Sequence, residues 1–160
     1  MKIAVSCDHA GFPLKRGVIE CLRGLGHSVE DLGTDSTDPV DYPDFARAVA
    51  ASIASRRSDR GVVICGSGVG ASVAATKVPG IRAAMCHDTF SARQGVEDDD
   101  MNVLCLGARV IGPALATELV RAFVNARFSG ADRHVRRLGK VNAIEEDARN
   151  GVFDDARRVT

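Results

Sequence analysis

Five short runs rich in valine, isoleucine and leucine recur along the chain, each broken by glycine or polar residues and followed by a longer stretch with helical spacing. They are Lys2 to Ser6, Ser28 to Leu32, Gly61 to Cys65, Ile81 to Cys86 and Val103 to Leu106. Such an alternation leaves few architectures open, because it favours a parallel sheet with helices on both faces. Phe12-Pro13 opens the first helix, with Pro13 suited to an early helical position, and Gly24-Leu25-Gly26 closes it after Leu14, Val18, Ile19 and Leu22. Pro43 opens the second. Further helices are expected from Ala71 to Lys77, Thr89 to Glu97 and Pro113 to Ala126, the last with Leu115, Leu119, Val120 and Phe123 on one face. A C-terminal helical extension with a frayed tail is expected from about residue 133. No repeat or low-complexity linker divides the 160 residues. The expectation is one domain, residues 1–160, forming a Rossmann-like three-layer α/β/α sandwich on a five-stranded parallel sheet.

Charge and cysteine usage exclude several classes of function. Lys plus Arg equals Asp plus Glu at 21 each, so no global field recruits nucleic acid or an anionic membrane, and any anion site must be local. No apolar leader precedes the first strand and no 18-residue apolar run occurs, which points to a cytoplasmic protein. The cysteines at 7, 21, 65, 86 and 105 are odd in number and show no paired spacing, so they are expected to be reduced thiols.

In an open parallel sheet, ligands collect beyond the carboxyl ends of the strands. Those positions hold Cys7, Asp8 and His9 after the first strand, Cys65 and Ser67 after the third, Cys86, His87 and Asp88 after the fourth, and Gly107 and Arg109 after the fifth. The third is the richest: Gly66, Gly68 and Gly70 let backbone N–H groups converge on an anion at the start of a helix, with Cys65 at the mouth, where a thiol is easier to deprotonate. Asp8 either faces this cleft as a catalytic group or merely caps the first helix. His87 is read as a polar residue on a solvated loop. The run Asp98-Asp99-Asp100 is a solvated helix end or, lying before the fifth strand, is aimed at the same edge.

Three chemistries compete for that edge. Dinucleotide binding has a formal glycine fingerprint, Gly66-x-Gly68-x-x-Ala71 with Asp88 beyond, but the fingerprint follows the third strand instead of the first. A metal site built from Cys7, His9, Cys65, Cys86 and His87 lacks any CxxC or HxxxH pair, so no metal is expected. Proton transfer beside the carbonyl of a phosphorylated sugar uses every prominent feature, with Cys65 as base, the glycine loop holding an enediolate and arginines holding phosphate.

Along nearly its whole length the chain resembles the type B ribose-5-phosphate isomerases and their galactose-6-phosphate isomerase relatives. The resemblance rests on Ile3 to Gly11 (IAVSCDHAG), Asp41-Tyr42-Pro43, Ile64 to Gly70 (ICGSGVG), Thr76 to Arg82 (TKVPGIR), Asn102 to Gly112 (NVLCLGARVIG), and Arg133-His134 with Arg137. It implies a cofactor-free interconversion of ribose 5-phosphate and ribulose 5-phosphate through a cis-enediol, in a homodimer, or a tetramer, with active sites at the subunit interface. By position, Cys65 matches the base and Ser67 the hydroxyl that serves the sugar oxygens. Gly66, Gly68, Val69 and Gly70 match the anion hole. Asp8, His9 and Tyr42 match sugar contacts, and Arg109, Arg133, His134 and Arg137 match phosphate contacts. Arg133 and Arg137 stand one helical turn apart, as a phosphate dianion favours.

One position departs from the family pattern. A histidine that opens the furanose ring, followed by Asn or Asp, usually stands where this chain has Asp98 and Asp99. An aspartate at neutral pH accepts a proton but is a poor donor. The alternatives are therefore a substrate that needs no ring opening, such as a tetrose 4-phosphate, a hexose 6-phosphate substrate, or a weakened homologue that binds sugar phosphates.

Overall fold

The computed structural model describes residues 1–153; the end of the expected frayed tail, residues 154–160, lies outside the described residues. Five strands, β1 (Lys2–Cys7), β2 (Ser28–Asp31), β3 (Arg60–Cys65), β4 (Ala83–Met85) and β5 (Val103–Gly107), form one sheet in the order β2-β1-β3-β5-β4. Every pairing is parallel. The helices are α1 (Phe12–Gly24), α2 (Tyr42–Ala54), α3 (Val69–Ala75), α4 (Thr89–Asp99), α5 (Pro113–Asn125) and α6 (Asp132–Arg149). The sequence-based expectation of an α/β fold on a five-stranded parallel sheet is therefore met.

Alternation along the strands divides the interior into two unequal layers. Ile3, Val5, Val62, Ile64, Leu104 and Leu106 meet α1, α4 and α5 through Leu14, Val18, Leu22, Val96, Leu119 and Phe123. On the other face Ala4, Val63, Cys65, Val103 and Cys105 meet only α2 and α3, through Ala46, Val49, Ala50, Ala71 and Ala75. Small residues on both sides let these two helices lie close to the sheet. Gly61 is part of that fit, because a Cβ there would collide with the Val49 side chain.

Local signals explain the helix ends. Proline stands in the first turn of α1, α2 and α5, where its missing N–H has no helical acceptor to lose. Asp88 caps α4 by accepting the Ser91 N–H at 2.7 Å. Gly26, at φ 81°, reverses the chain after α1, and its N–H and that of His27 donate to the carbonyls of Arg23 and Leu22. The expected run from Ile81 to Cys86 contracts to three residues, and at its start the Asn102 side chain accepts the Arg82 N–H at 2.8 Å. Helix α3 runs from Val69, two residues earlier than expected, because the left-handed Gly68 starts it.

The order of the strands decides where a cleft forms. From β1 the chain crosses by α1 to β2 on one side, whereas β3 lies on the other side of β1 and leads into α3 on the opposite face. The loops after β1 and β3 thus diverge, which opens a crevice at the carboxyl edge between them.

Candidate active site

A cavity of about 340 Å³ fills this crevice. The loop after β1 supplies Asp8, His9 and Ala10; the end of β3 and its loop supply Cys65, Gly66, Ser67 and Gly70; the loop after β5 supplies Arg109 and Val110; and the start of α2 supplies Tyr42. Eight of these are residues singled out in the sequence. Ala10 and Val110 were not, although both fall within the quoted motifs Ile3 to Gly11 and Asn102 to Gly112, beside His9 and Arg109.

Each polar group is held by a specific contact. Cys65 ends a central strand and is buried, and its Sγ accepts the Gly68 N–H at 3.1 Å. Gly68 adopts φ 82°, and a Cβ there would lie 2.9 Å from Met85 Cγ and 3.1 Å from the Leu106 carbonyl carbon. Ser67 Oγ accepts the Val69 N–H at 3.3 Å, which leaves the hydroxyl proton for another acceptor. The Gly70 N–H lies in the first turn of α3, where no helical carbonyl precedes it. Gly70 also lets Tyr42 close over the loop, since a Cβ would come within 2.8 Å of the phenol ring. Gly66 has no such constraint, its nearest neighbour to a Cβ being Arg109 Cδ at 3.5 Å.

Asp8 resolves the choice between cleft and cap by doing both. Its Oδ1 accepts the Gly11 N–H at 2.8 Å, tightening the turn into α1, while the carboxyl group lines the cavity. His9 Nδ1 accepts the Val40 N–H at 3.2 Å, so its proton sits on Nε2, the nitrogen left for a ligand. His87 lies outside the cavity but supports it: its Nε2 accepts the Gly107 N–H at 3.1 Å, and Gly107 has no room for a Cβ against the Ser67 peptide.

All five cysteines are unpaired and buried. Burial pushes the Cys7 thiol up to about 11, with Asp8 and Asp31 adding to the rise against Lys15. Burial likewise raises Cys86 to about 11 and Cys105 further still. Cys65 differs from them in facing the cavity and holding an amide donor. Among the described residues no group of three or more His, Cys, Asp or Glu is placed to hold a metal ion, and no helix is long and apolar enough to cross a membrane.

The remaining sequence candidates do not join this cavity. Gly68 shapes the loop from beneath, and Val69 is 52% exposed beside the mouth. Asp98, Asp99, Arg133, His134 and Arg137 lie at the other end of the sheet, which corrects the expectation that the residues before β5 point to the strands' carboxyl edge. In a parallel sheet the crossover helix runs back against the strands, so its end and the start of the next strand share the amino edge. Arg60, the first residue of β3, marks that edge by donating to the carbonyls of Phe123 and Ala126 at the end of α5 at 2.6 and 3.0 Å. Ser129 N–H then donates to the Glu97 carbonyl at 2.9 Å, which places Asp98 and the start of α6 beside it. At about 3.3 Å per strand residue, Cys65 stands roughly 16 Å away along β3. Asp99 lines a different cavity, between α6, α4 and β4.

Fold and site together define a doubly wound α/β protein whose ligand cleft lies at the switch point, furnished with a buried thiol, an amide-rich turn, an imidazole and a guanidinium. The chain belongs to the ribose/galactose isomerase family, whose profile matches residues 3–141. It is 43% identical to ribose-5-phosphate isomerase B of Escherichia coli (strain K12) over 145 residues, covering 91% of this chain and 97% of the relative. It is 42% identical to D-erythrulose-4-phosphate isomerase of Pectobacterium atrosepticum over 132 residues, covering 81% and 86%. The solved ribose-5-phosphate isomerase B of Clostridium thermocellum superposes with a TM-score of 0.89 at 47% identity, covering 92% of this chain and 99% of that one.

Proposed function

We propose that the protein interconverts ribose 5-phosphate and ribulose 5-phosphate, with Cys65 as the base. The observation that carries this reading is the Cys65 sulfur at the cavity wall, accepting the Gly68 N–H at 3.1 Å with Ser67 and Gly70 beside it. In the open-chain aldose, the Cys65 thiolate removes the C2 proton, and the electron pair moves through the C1–C2 bond onto O1. Ser67 and the Gly70 N–H meet the resulting enediolate oxygens, and Ser67 passes the O2 proton to O1. Return of the proton from sulfur to C1 completes the ketose. No electron leaves the substrate, so the balance needs no redox cofactor. Asp8, His9 and Tyr42 contact the sugar hydroxyls, and Arg109 contributes to phosphate binding.

This reading includes a homodimer. Arg133 and Arg137 of the same chain are a strand's length from Cys65, so a second copy must bring its α4–α6 end to the cavity for them to reach the phosphate. Apolar surface supports such a contact: Val110 at the cavity wall, and Val69, Val73, Met85 and Phe90 on the elements that follow β3 and end or follow β4, are 41–64% exposed. On α6, Val135, Val141 and Ile144 are 48–60% exposed. Exposed apolar side chains in such number favour association, and a two-fold pairing places one face on the other twice.

A second reading, a tetrose 4-phosphate substrate, is favoured by Asp98. With O4 esterified, a tetrose phosphate has no furanose ring to open and needs no acid at that position, and the Pectobacterium relative is named for such a substrate. Steady-state assays with both substrate classes separate the two readings. In either, Cys65→Ala should lower kcat by about 10²–10⁴-fold while the variant still binds the sugar phosphate. A Cys65→Ala protein that retained wild-type turnover would remove the thiol from the mechanism.

A further inference from the structure

Both oxygens of the Asp98 carboxylate have a partner within the chain. Its Oδ2 accepts Gln94 Nε2–H at 2.6 Å, and its Oδ1 stands 3.3 Å from His134 Nδ1. His134 is the one residue of α6 that is fully buried, and both its ring nitrogens are occupied. Arg133 Nε–H donates to its Nε2 at 3.0 Å, and since a guanidinium only donates, Nε2 carries no proton. The proton is therefore on Nδ1, which donates to Ser129 Oγ at 2.6 Å, and Asp98 Oδ1 stands 3.3 Å from the same nitrogen. Buried, and with no nitrogen left over, His134 is in no position to meet a phosphate, contrary to the expectation from sequence. Arg133, by contrast, is exposed, and its terminal nitrogens have no hydrogen-bond partner among the described residues.

We infer that Asp98 and His134 are positioning residues for Arg133: the Asp98 carboxylate, held by Gln94 beside the protonated His134 Nδ1, favours the tautomer whose Nε2 fixes the Arg133 Nε and presents its two terminal nitrogens outward as a preformed fork for the substrate phosphate. The inference rests on the proposed function only in taking Arg133 as a phosphate ligand. An arginine free to rotate loses side-chain entropy when it binds, about 0.5–1.5 kcal/mol per immobilised long side chain, and one already tethered through Nε loses less. By the usual conversion, that corresponds to about a two- to twelvefold gain in affinity. The gain applies equally to substrate and transition state, so it belongs in KM and not in kcat.

The test is steady-state kinetics with ribose 5-phosphate, together with competitive inhibition by inorganic phosphate, on the full-length protein and its Asp98→Ala, Asp98→Asn, Arg133→Ala and Asp98→Ala/Arg133→Ala variants. Asp98→Ala should raise KM and the phosphate inhibition constant by about two- to twelvefold each, with kcat within twofold. Asp98→Asn should stay close to wild type, because its amide oxygen still faces His134 Nδ1–H while Gln94 turns its carboxamide to accept the new NH₂. In the Arg133→Ala background, Asp98→Ala should add less than twofold. Loss of kcat in Asp98→Asn would overturn the inference by making the carboxylate a participant in the chemistry. Full additivity of Asp98→Ala and Arg133→Ala would overturn it by showing that Asp98 acts elsewhere. If the alanine variant does not fold, His134→Gln serves in its place, with the same KM and phosphate effects expected. Should the wild-type protein turn over no phosphorylated aldose, the proposed function falls, and phosphate affinity measured by calorimetry on the same variants still reads the Arg133 tether.

Discussion

Replacing Gly68 by alanine should cost about 2–4 kcal/mol of folding stability and impair turnover as well. The first contribution is conformational: Gly68 sits at φ 82°, and an L side chain in the left-handed region costs about 1–2 kcal/mol. The second is steric. The new methyl would lie 2.9 Å from Met85 Cγ and 3.1 Å from the Leu106 carbonyl carbon. Met85 is 41% exposed and can swing away, but Leu106 is backbone of a central strand and cannot, so overpacking adds about 1–2 kcal/mol. Gly26→Ala isolates the first contribution, because Gly26 has almost the same φ, 81°, and no atom within 4 Å of a Cβ. Urea unfolding at one fixed protein concentration should therefore show Gly68→Ala below Gly26→Ala by about 1–2 kcal/mol, or roughly 2–8 °C in Tm for a chain of this size. Met85→Ala in the Gly68→Ala background should recover only part of the loss, since the backbone contact stays. The same displacement moves the Gly68 N–H relative to Cys65 Sγ, so kcat should fall only in the Gly68 variant. Equal stabilities and equal activities in the two glycine variants would refute the claim that this turn is shaped by its contact with β5.

Gly70→Ala should leave stability nearly unchanged but raise KM, because the methyl displaces the exposed Tyr42 ring; the effect should shrink in a Tyr42→Ala background, and identical effects in both backgrounds would exclude the contact. Glu30 should contribute to acid sensitivity. Its carboxyl is held below the usual range chiefly by the Ser52 hydroxyl, at 2.7 Å, with Ser58, Arg57 and Lys2 acting in the same direction against desolvation. A depressed folded-state pKa gives stability that is complete above the unfolded value, about 4.3, and that is lost as pH falls through the folded value. The destabilisation caused by Ser52→Ala should accordingly be largest near pH 7 and diminish below about pH 4, and unfolding midpoints that differ by a constant amount across this range would contradict it.

The sequence by itself determined what local chemistry and periodicity decide. Runs such as Gly61 to Cys65 have nothing polar to expose, so they become buried parallel strands, and the residues that stop them, Asp8, Cys65, Ser67 and Arg109, necessarily collect at one edge. Proline and the aspartate cap set the helix starts for the same local reason. Other features depended on strand order and helix direction, which no short segment encodes. The crevice exists because β3 pairs on the far side of β1, and Tyr42 joins it because Gly70 leaves space for its ring. Only the idea that Asp98 reaches the carboxyl edge of its own chain is overturned: its nearness to β5 in sequence was legible, but an antiparallel crossover helix turns nearness to a strand's start into distance from its end. The role of His134 was hidden too, since only packing of α6 on α4 buries its ring and engages both nitrogens. Tertiary structure thus divided the sequence's list of site residues into two groups at opposite edges of one sheet.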